Sequence, residues 1–414
     1  MSIYDKASLI QIPSGYKAGK LYSVIPNSGA GDFTVTGDAE GDATRVNSQG
    51  LIETVNANVP RLDYPFIDGV VQDCPHLLLE SQRTNDTTYS KDFTQTSYWN
   101  NVIDVVVTKD EAVAPNGTYT ANKIQANSGS NFKILRKGSF TIPSGITMSI
   151  FVKRGNHDYI MFKAQGDYNF NLNTLTWGGS YSNVGYELYP NDWIRLYATT
   201  TSSVLSYFGI YLTDSSFNQY WNATGNEFVY VWGAQYETGT YASSYISTNG
   251  NSVTRLKDEC TNGGNADLFN DSEGTLFVDL ENFDTTATEL TLSSGSTTNR
   301  ITFLFYGSTF ALPNKIRFLC NSNGGSQVDS LYNISYTFNQ RNKIAFRYKQ
   351  NDFKAYINGT QVFSDTSGNT PIGLSRFDFT KFDATSGFIE GEINQAMVFN
   401  EALSDSELQT LTTL

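Results

Sequence analysis

The stretch KIAFRYKQNDFKAYINGTQVF, Lys343 to Phe363, decides the fold class. Its first arm alternates Ile344, Phe346 and Tyr348 with Ala345, Arg347 and Lys349, and its second sets Phe353, Ala355 and Ile357 on one face. A period of two belongs to a strand in a sheet. Asn358-Gly359 then supplies the residue pair that a two-residue type I′ turn favours, so the second arm folds back on itself as a hairpin. Working outward, GTLFVDLENF, NRITFLFYG and NKIRFLCN pass the same test.

Upstream, TMSIFVKRG places Met148, Ile150 and Val152 on one face, with Ser149, Phe151 and Lys153 on the other. DWIRLYATTT and VLSYFGIYLT read as two strands joined by a short turn near Thr201 to Ser203, with Ile194, Leu196 and Ala198, then Phe208, Ile210 and Leu212, facing inward. EFVYVWGAQYE is apolar on both faces, as a central strand should be. The one convincing helix is terminal, where Ser404-x-x-Glu407 forms a capping box at the head of SDSELQTLTT. With 414 residues, more than one core fills, the expectation is an all-β chain of two β-sandwich (jelly-roll) domains. These span residues 91–254 and 270–414, follow an extended N-terminal leader over residues 1–90, and end in a short C-terminal helix. The turn-rich run from Ser247 to Gly274 marks the break between them.

Composition narrows the function. Charged residues make up 17% of the chain and aromatics 14%, against about a quarter charged in an average domain, which suits a β-rich extracellular or particle-surface protein. A net charge of −13 without a Lys/Arg cluster excludes a phosphate-tracking surface, so no nucleic-acid partner is expected. Cys74, Cys260 and Cys320 have neither disulfide-framework nor zinc spacing and read as free thiols. The N-terminus lacks an apolar signal region and no run reaches the roughly 18 apolar residues of a membrane span, so the expectation is synthesis in a cytoplasm and no membrane insertion.

The leader, including ATRVNSQGLIETVNANVPRLDY from Ala43 to Tyr64, has scattered aliphatic residues among polar ones and suits a segment laid along another surface; a disordered tail is the alternative. GDAEGD sets Asp38, Glu40 and Asp42 at the spacing that opens an EF-hand, but the twelfth position from Asp38 is Gln49, so it reads as a turn. His76 and His157 sit in no nucleophile motif, and no phosphate-binding loop follows a strand.

Aromatic platforms remain, because sugar rings stack on Trp and Tyr while their hydroxyls need polar partners. A hairpin closing near Thr201 to Ser203 would bring Trp193 opposite Tyr211 and Tyr197 opposite Tyr207, with Arg195 among them, on the face away from Ile194 and Leu196. These five residues are the carbohydrate-binding candidates. The competing reading makes that face the other half of the sandwich core, or covers it with a neighbouring subunit.

EGTLFVDLENF, KIAFRYKQNDFKAYINGTQVF and FIEGEINQAMVFNEALSDSELQTLTT, in that order, resemble the laminin-G-like, concanavalin-A-type jelly roll. Glucanases of that type carry an acid triplet on one strand; Glu390-Gly391-Glu392 supplies two acids but not the third, and Glu392 falls where the pattern has a structural acid. No catalytic residue is expected. Calcium, held at a loop rim in some laminin-G-like domains, would fall to Asp365 or Asp383, with no motif to fix it, so no cofactor is expected.

YDKASLIQIPSGYKAGKLYS, GDFTVTGDAEGDATRVNSQGLIE, VPRLDY and LLLESQRTNDTTYSKDF are similar to a family of bacteriophage virion proteins. Their middle resembles carbohydrate-binding modules, here through MSIFVKRGNHDYIMF, NDWIRLYATTT and VYVWGAQYETGTYASSYI. The resemblance implies a non-enzymatic fibre, appendage or capsid-decorating protein of the virion, made in the host cytoplasm, with other virion proteins, homo-oligomer copies and host-surface glycans as partners. Its alternatives are an architectural connector and a polysaccharide depolymerase. It also implies a leader docked on neighbouring surfaces, with Arg45, Arg61 and Arg83 paired to carboxylates and Leu51, Ile52 and Leu77 to Leu79 seated in apolar grooves.

Overall fold

The computed structural model describes residues 2–37, 42–285, 287–308, 311, 313–330, 333–381 and 386–414. Among the described residues the structure is all-β apart from two short 3-10 turns and the terminal helix Asp405–Thr412. Ser404 caps that helix in the expected box, its hydroxyl accepting from the Glu407 amide while the Glu407 carboxylate accepts from the Ser404 amide. No described helix is long and apolar enough to cross a membrane.

The first sandwich packs two sheets face to face. One runs, edge to edge, through Val105–Ala112, Ala121–Ala126, Phe228–Thr238, Ile146–Arg154, Trp193–Thr199 and Val184–Tyr189. The other runs through Asn101–Ile103, Gly129–Ile142, Val204–Leu212, Tyr159–Lys163, Asp167–Asn171 and Thr176–Trp177. The alternation in sequence fixes which side chains meet between them: Met148, Ile150, Val152, Ile194, Leu196, Phe208, Ile210 and Leu212 share one buried cluster. Phe228–Thr238, apolar on both faces, lies inside its sheet as expected.

The expected hairpin at Thr201 to Ser203 is not formed. Trp193–Thr199 pairs with Ile146–Arg154 and Val184–Tyr189, whereas Val204–Leu212 pairs with Gly129–Ile142 and Tyr159–Lys163 in the facing sheet. The connection arches over the end of the core, pinned where Thr200 exchanges backbone hydrogen bonds with Gly145 and Ile146. Two strands with inward apolar sets satisfy their pattern equally well across a core as side by side, so alternation alone did not separate hairpin from arch.

The second sandwich opposes a long sheet to a five-membered path. The long sheet orders Thr360–Asp365, Asp352–Ile357, Arg341–Lys349, Glu273–Asn282, Gly391–Phe399, His76–Leu79 and Leu62–Asp63, with Ala7–Gln11 also on Gly391–Phe399. The other runs through Gly325–Asp329, Lys315–Ser322, Arg300–Tyr306, Ala287–Ser293 and Arg376–Asp378. Asn358 and Gly359 take φ 48° and 78° between Ile357 and Thr360, the positive pair that a type I′ turn requires.

The leader is therefore woven into the second sandwich. Leu9, Leu62, Leu77 and Leu79 enter its core, and a small sheet of leader strands closed by Glu259–Thr261 adds Leu21, Phe33 and Val35. Ile52 is buried against the first sandwich, in a cluster with Trp193, Trp232 and Tyr245. Arg45 pairs with Glu53, Arg61 with Glu80 and Asp258, and Arg83 with Glu390. The surface along which the leader lies is its own chain's. The turn-rich run from Ser247 to Gly274 is likewise tied down, by pairing of Val253–Arg255 with Arg83–Asn85 and of Glu259–Thr261 with Phe33–Thr36.

All three cysteines are free, Cys260 and Cys320 buried and Cys74 exposed. Asp38, Glu40 and Asp383 lie outside the described residues, and Asp365 accepts from the Ser367 amide and hydroxyl as a turn residue. Among the described residues no group of three or more His, Cys, Asp or Glu is placed to hold a metal ion.

Candidate functional site: a cavity between the two sandwiches

Strand alternation dictates what each sandwich turns toward the other. In Glu273–Asn282, Leu276, Val278 and Leu280 point into the core, so Glu281 points out. Glu392 is its direct partner on Gly391–Phe399, Leu78 pairs with Glu392 on the next strand, and His76 pairs with Asp63 beyond that. The first sandwich answers with the outer face of Val184–Tyr189 and Trp193–Thr199, where Glu187 pairs with Arg195 and Gly185 with Tyr197. Between the two walls, roofed by leader residues 63–69, is a cavity of about 820 Å³.

Backbone approach allows this packing. A Cβ on Gly185 would come within 2.3 Å of the Tyr197 hydroxyl, so only glycine lets that ring lie over its neighbour strand. A Cβ on Gly391 would meet the Glu281 carbonyl at 2.2 Å, so the glycine between the two acids lets the strands close.

The two walls differ in charge. Arg195, 3% exposed, donates to the Ser149 hydroxyl and the Ser243 carbonyl, sits 3.7 Å from Glu187, and has no hydrogen-bond partner at Nε. On the opposite wall Asp63 and Glu392 share the buried His76, whose Nε2 lies 3.3 Å and 3.4 Å from them, and Asp63 also accepts from the Val46 amide at 2.6 Å. Burial and the neighbouring charges of Glu281, Asp63 and Glu187 outweigh His76 and push the Glu392 carboxyl up to about 7. Burial likewise raises Glu281, against His76, and Glu187, against Arg195. Burial opposes the charge of His76, but Glu392, Asp63 and Glu281 prevail and raise its pKa.

An acid whose folded pKa is raised is harder to ionise in the folded protein, so Glu392 withdraws stability as pH climbs from 4.5 to about 7. Glu392→Gln should flatten that window and stabilise the protein above it by on the order of 1 kcal/mol, because the 30% of the side chain left open screens the effect. Urea titrations of both proteins at several pH values measure it; equal pH dependence contradicts it.

The five carbohydrate-binding candidates do not form one platform. Arg195 and Tyr197 line the cavity. Trp193 lies beneath the leader, 1% exposed, donating from Nε1 to the Val113 carbonyl at 3.0 Å. Tyr207 and Tyr211 stand on the other sheet, where the Arg136 guanidinium lies 3.5 Å from the Tyr207 ring centre and is hydrogen-bonded to the Tyr211 hydroxyl. The cause is the arch at Thr201 to Ser203, which sends the second strand to the far sheet. Glu390 and Glu392 are also separated: Glu390 accepts from the Tyr241 hydroxyl at 2.9 Å and faces Arg83, while Glu392 lines the cavity. Sequence reasoning missed Tyr64, Tyr189, Tyr241 and Glu281, which reach the cavity from four segments; the out-facing acid in VDLENF was the one legible signal.

Comparison with known proteins bears on the second sandwich. Residues 275–409 match the family described as the concanavalin A-like lectin/glucanases superfamily. The second sandwich is thus similar to a concanavalin A-like domain. Its Glu273–Asn282 and Gly391–Phe399 strands carry the acidic wall of the cavity. No curated protein matches the chain. Among solved structures, a carbohydrate-binding module of a Ruminococcus gnavus sialidase bound to sialyllactose is similar at 12% identity over 35% of this chain and 84% of its own, with a TM-score of 0.29. Domain 4 of a Geobacillus stearothermophilus arabinanase, in complex with arabinotriose, is similar at 14% identity over 42% of this chain and 84% of its own, with a TM-score of 0.31. The NanB sialidase of Streptococcus pneumoniae is similar at 17% identity over 36% of this chain and 25% of its own, with a TM-score of 0.30.

Proposed function

We propose that this chain is a non-enzymatic, glycan-binding protein of a bacteriophage particle, and that the cavity between its sandwiches is where the glycan sits. The observation that carries the binding reading is the lining itself: Tyr64, Tyr189, Tyr197 and Tyr241 beside Arg195 and Glu187. Tyrosine rings offer faces for sugar C–H groups, and the charged groups offer the acceptors and donors that hydroxyls need. The particle assignment rests on the resemblance of residues 4–93 to virion proteins and is tested by mass spectrometry of purified virions, where absence of the chain defeats it.

For the glycan, the test is an array of host-envelope oligosaccharides probed with the whole chain and with Tyr197→Ala. Retention of at least one class by the natural sequence, weakened roughly tenfold in the variant at an unchanged melting temperature, is expected. Retention of none, or equal retention by both proteins, removes the cavity as the site.

A hydrolytic reading has one observation in its favour, the Glu392 carboxyl held up to about 7. Against it, Glu281 and Glu392 are direct partners on adjacent strands, not alternate residues of one strand, and Glu390 is held by Tyr241 and Arg83. No release of reducing ends from host polysaccharide is expected; release abolished by Glu392→Gln would reverse the assignment.

A further inference from the structure

Charge within the cavity says what kind of sugar it suits. Of the carboxylates that line it, Glu80 is held by Arg61 and Arg255, and Glu187 faces Arg195. Asp63, Asp68, Glu281 and Glu392 remain, and among the described residues no Lys or Arg pairs with any of them; His76 is their one basic neighbour. Tyr64, Tyr241 and Asn339 border this acidic wall without adding positive charge. Across from it the Arg195 Nε, in a side chain 3% exposed, has no acceptor. The cavity is thus two-sided, with a guanidinium among tyrosines on one wall and surplus carboxylates on the other.

On the basis of the glycan reading above, we propose that the ligand is an amino sugar with a free, protonated amine, seated with its ammonium among Glu281, Glu392 and Asp63 and a hydroxyl or ring oxygen on Arg195. An ammonium donates up to three charge-assisted hydrogen bonds, which carboxylates that lack a Lys or Arg partner accept, although one Asp63 oxygen is already engaged by the Val46 amide, and tyrosine faces favour a nearby cation. A carboxylated sugar meets repulsion on the same wall, and an N-acetylated one brings a neutral amide that leaves the carboxylates uncompensated. Placing a cation there also relieves the crowding of like charge that, together with burial, raises Glu392. Selectivity for the amine should accordingly grow as pH rises toward 7 and Glu392 ionises, with Asp63, His76, Glu281 and Glu187 as the groups facing it.

The test is calorimetric titration of the whole chain with three β-linked oligosaccharides of equal length: a glucosamine oligomer, its N-acetylated form and a hexuronate oligomer. Trilysine serves as an amine without a sugar. The glucosamine oligomer should bind at least about tenfold more tightly than each of the other three. Glu281→Gln should cut that preference several-fold. Equal or tighter binding of the N-acetylated or uronate oligomer overturns the amine inference and leaves the glycan reading standing. Trilysine binding as tightly as the glucosamine oligomer overturns it in favour of a basic protein segment. Binding of none of the four overturns it as well, while the array of host oligosaccharides decides the glycan reading separately. Should Glu281→Gln fail to fold, Glu392→Gln supplies the same comparison from the neighbouring strand.

Discussion

Arg61→Ala is expected to cost about 3–5 kcal/mol, because it leaves buried carboxylates without their partner. Arg61 is 1% exposed and donates to Glu80 at 2.7 Å, to the Ser244 hydroxyl at 2.8 Å, to the Thr44 carbonyl at 3.2 Å and to both oxygens of Asp258. Arg255, fully buried, stands 3.4 Å from Glu80 and 3.7 Å from Asp258. The cluster ties together the leader, the exit of the first sandwich and the run that connects to the second. The positive charges of Arg255 and Arg61, with hydrogen bonds from Ser244, overcome burial and hold the Glu80 carboxyl far below its usual 4.5.

A depressed carboxyl pKa contributes stability that is present above 4.5 and lost as pH falls beneath it. The natural protein should therefore be acid-labile in that range, and Arg61→Ala should show a shallower loss there because Glu80 loses one of the two charges that depress it. Urea unfolding measures the first effect and thermal melts across the acid range the second. A loss under about 1 kcal/mol would mean that water reaches and solvates the cluster. Replacing the charged set together with apolar residues of like volume is a different experiment, with a near-neutral result expected, since paired burial recovers little more than desolvation takes.

Trp193→Ala is the second large effect, about 3–5 kcal/mol. The indole is packed with Ile52, Phe151 and Trp232 and donates to Val113, so removal opens a cavity and strands a carbonyl. The change should unfasten the leader from the first sandwich before either core melts, visible as early protection loss around Ile52 in hydrogen exchange. Tyr207→Ala should cost only about 1 kcal/mol, since it removes a half-buried ring whose main contact is Arg136. Comparable losses at both positions would contradict the placement of Trp193 under the leader.

Much of the fold was legible because its signals are local. Alternation through Ile344, Phe346 and Tyr348, the Asn358-Gly359 turn and the Ser404 box each need only a few neighbouring residues. Pairings between distant segments left no such mark. Leu77 meets Ile393 and Ala7 meets Phe399 across more than three hundred residues, and no periodicity within His76–Leu79 announces its partner. For the same reason the resemblance implied that the leader's arginines pair with carboxylates but identified none of their partners.

The site was legible in part and for a similar reason. Arg195 and Tyr197 were singled out as polar and aromatic residues on the outward side of an amphipathic strand, and they do line the cavity. Their expected companions Tyr207 and Tyr211 belong to another sheet, because a short connection can arch as well as turn back. The acids Glu281 and Asp63 had no sequence signal beyond facing outward. What joins them is the meeting of two sandwiches, a tertiary event that reading along the chain does not record.

The most direct measurement of the central claim is an electron-density map of the whole chain crystallised with the oligosaccharide that binds best on the array. Sugar density is expected between the Arg195–Tyr197 wall and the Glu281–Glu392 wall, with ring atoms against tyrosine faces. Density on the Tyr207–Tyr211 face, or at the loop rim of the second sandwich with the cavity holding water alone, would contradict the placement.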